Sequence, residues 1–228
     1  VQDILARGKP VVLVGGTGLY VDALIAGRSF APYPQTGRRE ELTRIADEQG
    51  IEVLLERLRE ADPESAARLH PSNRKRIIRA LEVWLETGKT ITQHNLETQA
   101  QPPRYTPVWL GLNFPDRAQL YARIDLRAKQ MFDEGLATEV QALLASGVPD
   151  NATSMQAIGY KEVVRALRGE CSMDEALAEV QQSSRRYAKR QLTWFRRNEA
   201  VRWLDAGLPF SELFSAARRE ISFFDRTT

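Results

Sequence analysis

Val11-Val12-Leu13-Val14 runs directly into Gly15-Gly16-Thr17-Gly18, and Leu19-Tyr20 comes next. Four consecutive apolar residues, three of them β-branched, predict a strand buried on both faces, which is the signature of a parallel one. The glycines end it. Apolar spacing from about Leu19 to Ile25, closed by Gly27, predicts a helix. Strand, glycine turn and helix together make one unit of an α/β fold. Ligands of such sheets sit beyond the carboxyl ends of the strands, where helix amino termini point. Gly15, Gly16 and Gly18 are therefore candidates for a substrate channel, and Thr17 offers a hydroxyl inside it. The turn has the spacing of neither a Walker A loop nor a dinucleotide fingerprint. A purely structural glycine turn would have the same sequence.

On the amino-terminal side, Val1 to Ala6 has the pattern of a helix's last turns, stopped by Gly8. The chain opens on Val1, not Met, in what reads as mid-element, so an amino-terminal truncation is expected. Beyond Gly27 the texture changes. Phe30-Ala31-Pro32-Tyr33-Pro34 is a linker, and from Arg38 to about Leu96 every segment is helical in pattern. Arg38–Gln49 ends at Gly50, and Ile51–Ala61 is the next helix. Asp62-Pro63 caps a short helix to Leu69, and Ser72 or Asn73 caps a long one ending at Gly88. Thr90–Leu96 adds a turn or two before Gln101-Pro102-Pro103 breaks the chain.

Tyr105–Phe114 returns to strand chemistry. Asp116 caps a helix to Gly135 with a stripe of Leu120, Ile124, Ala128, Met131 and Phe132, and another helix runs to about Ser146. Ser154–Leu167 is helical in pattern. Ser172-Met173-Asp174-Glu175 is a capping box for the longest helix, to about Arg197. Val201–Leu204 is a last strand and Leu213–Phe224 a terminal amphipathic helix. The expected architecture is α/β: residues 1–27 and 105–228 form parts of a parallel-sheet core, and residues 28–104 an all-helical insertion domain.

Of 228 residues, 43% are hydrophobic and 27% charged, which is enough to bury a core and excludes a disordered or collagen-like chain. No apolar run approaches the roughly 20 residues of a membrane span. One cysteine, Cys171, excludes a disulfide framework and suits a reducing cytoplasm. The net charge of +2 conceals two clusters. Arg74, Lys75, Arg76 and Arg79 put four cations in six residues. Arg185, Arg186, Lys189, Arg190, Arg196 and Arg197 put six in thirteen residues with no acid among them. Guanidinium forks suit phosphate, so a polyanionic partner is expected. A solvated face is the competing reading, and it weighs more on the first cluster than on the second.

The second cluster segregates on a helical wheel. Ala188, Leu192 and Phe195 group together, with Tyr187, Gln191 and Trp194 beside them; the six cations and Thr193 take the other half. A core face backing a basic ridge results. Arg123 and Arg127 lie four apart on one helical face, where two guanidiniums could neutralise a leaving diphosphate; a surface ion-pair stripe is the competing reading and the weightier one. His70 and His94 have no ligand spacing, and no metal-ligand set is found. Cys171 has no base partner.

Several stretches together resemble the tRNA dimethylallyltransferase family, also called tRNA isopentenyltransferases. They are Gly15-Gly16-Thr17-Gly18-Leu19-Tyr20, His70-Pro71, Arg79-Ala80-Leu81-Glu82-Val83, Ala157-Ile158-Gly159-Tyr160-Lys161-Glu162, and Arg186-Tyr187-Ala188-Lys189-Arg190-Gln191-Leu192-Thr193-Trp194-Phe195-Arg196. They fall in order over essentially the whole chain; Ser184 departs from the family's Thr but keeps the hydroxyl. The resemblance implies a P-loop NTPase-like core with an inserted helical domain that grips the tRNA anticodon stem-loop. It implies transfer of a dimethylallyl group from dimethylallyl diphosphate to N6 of adenosine 37, with the base flipped into a channel, and Mg²⁺ in the complete enzyme. By match to the family motifs, Thr17 lies beside the flipped base and Arg127 contacts the diphosphate. Arg39, the Lys75-Arg76-Ile77-Ile78-Arg79 run, the Met155-Gln156-Ala157-Ile158-Gly159-Tyr160 run and the Lys189-Arg190-Gln191-Leu192-Thr193-Trp194-Phe195-Arg196 run would hold the tRNA.

The family's glycine-rich phosphate loop and its Asp-Ser segment, whose aspartate is the general base, precede the Gly-Gly-Thr motif. Fourteen residues precede it here, and neither motif occurs elsewhere. The chain is thus expected to correspond to the carboxy-terminal two-thirds of a bacterial-type enzyme, a cytoplasmic monomer, to bind tRNA weakly if at all, and to be inactive alone. A tRNA-binding module without chemistry is the main rival. An adenylate isopentenyltransferase would not need the helical insert or the basic ridge, and a nucleotide kinase shares neither.

Overall fold

The computed structural model describes residues 1–28, 36–99 and 102–225. The linker Phe30–Pro34 and Gln101 lie outside the described residues. The chain divides into two compact units: Val1–Gly18 with Pro107–Thr228, and Leu19–Thr106.

Among its described residues the unit Leu19–Thr106 holds helices and no strand. Its helices are α2 (Gly18–Ala26), α3 (Arg38–Gln49), α4 (Ile51–Ala61), α5 (Pro63–Ala67), α6 (Arg74–Thr87) and α7 (Ile91–Gln99). Leu42, Ile45, Leu54, Leu58, Ile77 and Leu81 form the core between α3, α4 and α6. Asp62, 3% exposed, ties this core to α7. Its carboxylate accepts from Ser65 N at 3.1 Å to cap α5, and from Thr92 N at 3.1 Å and Thr92 Oγ1 at 2.6 Å. His70 serves the fold: its Nδ1 accepts from Ser72 N while Asn73 Oδ1 accepts from His70 N, closing a 3-10 turn over Pro71–Asn73. Asn73 then occupies the N-cap of α6 without a side-chain bond to it. The unit also takes in α2, which the sequence pattern groups with the α/β part. The physical link is the returning chain, whose Arg104 N and Tyr105 N both donate to Ile25 O.

The other unit holds α1 (Gln2–Ala6), β1 (Leu110–Asn113), α8 (Arg117–Asp133), α9 (Leu136–Ala145), α10 (Tyr160–Leu167), α11 (Met173–Phe195), β2 (Arg202–Asp205) and α12 (Phe210–Asp225). Leu136, Val140, Met155, Val163 and Val164 are its core. The predicted caps form: Asp116 Oδ1 accepts from Ala118 N at 2.8 Å, and Ser172 and Glu175 make a reciprocal capping box at α11. β1 and β2 pair in parallel, from Leu110 opposite Arg202 to Asn113 opposite Asp205. Among the described residues the fold is mostly helical with this small parallel sheet.

Two expectations fail. Val11–Val14 is not a strand, and Val12 and Val14 are 81% and 88% exposed. A strand exists only where a neighbour completes its ladder, and β1 and β2, the strands of the described sheet, pair with each other. Ser154–Leu167 is not one helix but a 3-10 turn over Ser154–Gln156 followed by α10. Ala157 is extended and Gly159 has φ +102°, a combination that no helix passes through.

Candidate nucleic-acid interface and glycine turn

In the helical unit, two cross-links align α3 and α6 antiparallel. Arg74 Nη2 donates to Thr43 O at 3.0 Å and to Asp47 Oδ1 at 2.7 Å. At the other end, Arg39 donates through Nε and Nη2 to the two oxygens of Glu82, at 3.1 and 2.8 Å. Arg79, one turn before Glu82 on α6, donates Nη1 to the same carboxylate at 2.7 Å. Burial alone would raise the Glu82 carboxyl, but the hydrogen bonds from Arg39 and Arg79 outweigh it and hold it below the usual range. The bond to Glu82 likewise raises the Arg39 guanidinium.

Lys75 and Arg76 are exposed in the first turn of α6 and pair with no acid among the described residues. That turn carries three cations, Arg74 through Arg76, no acid and no side-chain cap. Cations at a helix amino terminus oppose the macrodipole, each by about 0.3–1 kcal/mol. Ile77 and Ile78 of the same predicted RNA-binding run are buried, at 0% and 7%; they are core, and contact with a partner falls to the cations alone.

In the other unit, α11 is divided as the wheel suggests except at two positions: Arg185, expected on the ridge, is half-buried, and Tyr187, expected beside the core face, is exposed. Arg186, Lys189, Arg190, Thr193, Arg196 and Arg197 are exposed, while Ala188, Gln191, Leu192, Trp194 and Phe195 are half-buried. Several of its cations are engaged. Arg185 donates to Asp125 of α8 at 2.5 Å, Arg190 lies 5.5 Å from the Tyr187 ring, and Arg197 stacks 4.4 Å from Trp194. Phe195 packs at 6.4 Å, tilted, against Trp109. Of these cations Arg196, at the C-cap of α11, and Arg197 beyond it stand where the helix dipole favours positive charge. Each cluster is thus part engaged and part open: Arg74 and Arg79 of α6 have acid partners while Lys75 and Arg76 pair with none among the described residues, and on α11 Arg185, Arg190 and Arg197 are engaged.

The inner face of α11 meets the glycine turn. Gln191 Nε2 donates to Gly16 O at 2.9 Å. A Cβ on Gly18 would stand 2.1 Å from Trp194 Cδ1, and one on Gly16 would stand 2.0 Å from Gln191 Nε2. Glycine is required here for close approach of a helix. Gln191 and Trp194, expected on the RNA side, thus face the turn; Thr17 between the two contacts stays exposed, as does Gly15. On α8, Arg123 and Arg127 are exposed; Arg123 lies 5.4 Å from the Phe114 ring. Asp125 between them anchors to α11 through Arg185 and through its carbonyl, which accepts from Gln181 at 3.2 Å.

In the third predicted run, Met155 is fully buried and Gly159 buried, so neither presents a side-chain surface. Gln156 and Ala157 are exposed, Ile158 and Tyr160 half-buried. The Tyr160 hydroxyl bonds Glu139, which raises the phenol. Glu162, 1% exposed, accepts from Gly159 N at 2.8 Å and holds the bend.

The sequence profile described as IPP transferase matches residues 1–198. The chain belongs to the IPP transferase family. Among its curated relatives, the tRNA dimethylallyltransferase of Geobacter sulfurreducens is 44% identical over 219 residues, covering 96% of this chain and 70% of the relative. That of Bacillus cytotoxicus is 45% identical over 206 residues, covering 90% and 64%. The chain thus spans about two thirds of the length of these IPP transferase relatives. The crystal structure of the full-length tRNA isopentenylpyrophosphate transferase of Bacillus halodurans superposes with a TM-score of 0.64 at 37% identity, over 97% of this chain and 68% of that one. A eukaryotic dimethylallyltransferase, described as acting on tRNA, gives 0.66 at 25% identity over 90% of this chain and 53% of that one.

One tripeptide in this IPP transferase chain has the letters of a phosphate loop's end, Gly88-Lys89-Thr90. It is a helix stop. Val83 stands where such a loop has its first glycine, Gly88 ends α6 with φ +70°, and Lys89 pairs with Glu97 at 2.8 Å. Thr90 and Gln93 then cap α7 reciprocally.

Proposed function

We propose that this chain supplies the RNA-gripping surface and part of the reaction centre of an enzyme that prenylates tRNA. The reaction transfers dimethylallyl from dimethylallyl diphosphate to N6 of adenosine 37. The observation that carries the reading, beside the family, is the first turn of α6. Of its three cations Arg74 is paired with Asp47, but Lys75 and Arg76 oppose the helix dipole with no acid paired to either among the described residues, an arrangement that costs stability and is relieved when an anion arrives. The backbone phosphates of an anticodon stem-loop are such anions.

In the chemical step, N6 attacks the allylic carbon bonded to the diphosphate. The C–N bond forms as the C–O bond breaks, and the electron pair leaves on diphosphate. Arg127, with Arg123 one turn away on the same rigid helix, would absorb that charge. Thr17 would meet the flipped base beside backbone that Gln191 and Trp194 hold in place. The N6 proton passes to the aspartate of the family's Asp-Ser segment, a sequence these 228 residues do not contain. Among the described residues no group of three or more His, Cys, Asp or Glu could hold a metal ion. The Mg²⁺ that the family implies enters no step here. The protein is proposed to act as a cytoplasmic monomer; among the described residues no helix is long and apolar enough to cross a membrane.

Fluorescence anisotropy with a labelled anticodon stem-loop tests the binding. Affinity should fall linearly on a log–log plot of salt from about 50 to 200 mM; no binding at the low-salt end overturns the reading. With tRNA and radiolabelled dimethylallyl diphosphate, this chain alone should transfer no label. Robust transfer would show that the base lies within these residues.

A further inference from the structure

Glu82 is a largely buried acid held between two arginines that come from different helices. Its side chain is 12% exposed, against 56% for Arg39 and 39% for Arg79. The carboxylate therefore lies inside, and the two guanidiniums lie over it at the surface. Arg39 comes from α3 and spends Nε and Nη2 on the two oxygens in a fork; Arg79 comes from α6 and adds Nη1 to one of them. A bidentate fork fixes the plane of the Arg39 guanidinium as well as its position, and Nη1 of Arg39 stays uncommitted among the described residues. Arg79 comes four positions after Lys75 and three after Arg76, so all three share one face of α6.

We infer that Glu82 is a positioning residue for RNA binding: its buried carboxylate holds Arg39 and Arg79 in register with Lys75 and Arg76, so that two helices present one fixed row of cations to successive phosphates. The inference rests on the RNA-binding reading above. Without Glu82, each long side chain would have to be ordered by the RNA itself, and the entropy of that ordering would be charged against binding.

The sign of one substitution separates this role from bulk electrostatics. Glu82→Gln removes a negative charge next to two cations, so a purely electrostatic surface would bind RNA more tightly. Positioning demands the reverse. The expected result is a roughly five- to tenfold weaker Kd for the anticodon stem-loop, with the log–log salt slope shallower by about one to two. Equal or tighter binding by Glu82→Gln, or weaker binding with an unchanged slope, overturns the inference. Failure of the unsubstituted chain to bind overturns the functional reading instead. A circular-dichroism melt checks that the variant folds. Should it not, the Arg39→Lys/Arg79→Lys double variant decides, because it keeps both charges and loses the fork. Weaker stem-loop binding by that variant sustains the inference, and unchanged binding ends it.

Discussion

At the scale of single residues, the close approach at Gly18 makes a sharp forecast. A methyl group there would overlap the Trp194 ring at 2.1 Å, and a ring cannot bend away as a flexible chain end can. Gly18→Ala should lower stability by about 1–3 kcal/mol in urea unfolding. Gly15→Ala, whose added carbon meets nothing within 4 Å, is the control and should leave that packing intact. Two carboxylates set the acid limit. Asp62 and Glu82 are both held below their ordinary values by hydrogen bonds that outweigh burial. A group with a depressed folded value stabilises fully above its unfolded value, near 4, and loses that contribution as pH falls through the folded one. The urea midpoint should therefore drop as pH falls below about 4, and Asp62→Asn should flatten that drop while lowering stability at pH 7. An equally steep acid limb in the variant would assign it to other groups.

At the scale of elements, α6 sets stability against binding. Replacing Lys75 and Arg76 with Glu should stabilise its first turn by about 0.3–1 kcal/mol per site, seen as a higher melting temperature, while stem-loop affinity falls. A melting temperature that also falls would mean the cations are locally useful and would remove the argument for an anion. Elements also differ in how far their residues announce them. Arg38–Gln49 and Ile51–Ala61 form with the bounds their periodicity predicts, and Asp62, Asp116 and Ser172 cap as expected, because caps and helical spacing are local chemistry. Val11–Val14 is illegible in principle, since being a strand is a property of the neighbour. The bend at Gly159 is hidden because a glycine inside an apolar pattern is also tolerated by a helix. Glu82 is hidden differently: an acid near arginines on a helix has the sequence of a solvated face, and the arginine that gives it meaning stands 43 positions away on α3. The wheel puts Gln191 and Trp194 on the correct half of α11, but no spacing rule can say that the partner there is a glycine turn.

At the scale of the whole molecule, each compact unit carries its own core. Hydrogen exchange should accordingly show two separate sets of slow amides, around Leu54, Leu58, Ile77 and Leu81 in one unit and Val140, Val163 and Val180 in the other, all nearly fully buried. Residues 11–14 should exchange as fast as free peptide; slow exchange there would mean that a ladder forms after all. The exposure of that run also governs how the material behaves in a tube. Val12, Leu13 and Val14 turn apolar, β-prone side chains to water, with backbone donors and acceptors beside them that no described strand takes up. Two molecules meeting at this segment can satisfy each other. Stored samples should therefore cloud with a strong dependence on concentration, and Val12→Lys should lengthen their shelf life without moving the melting temperature.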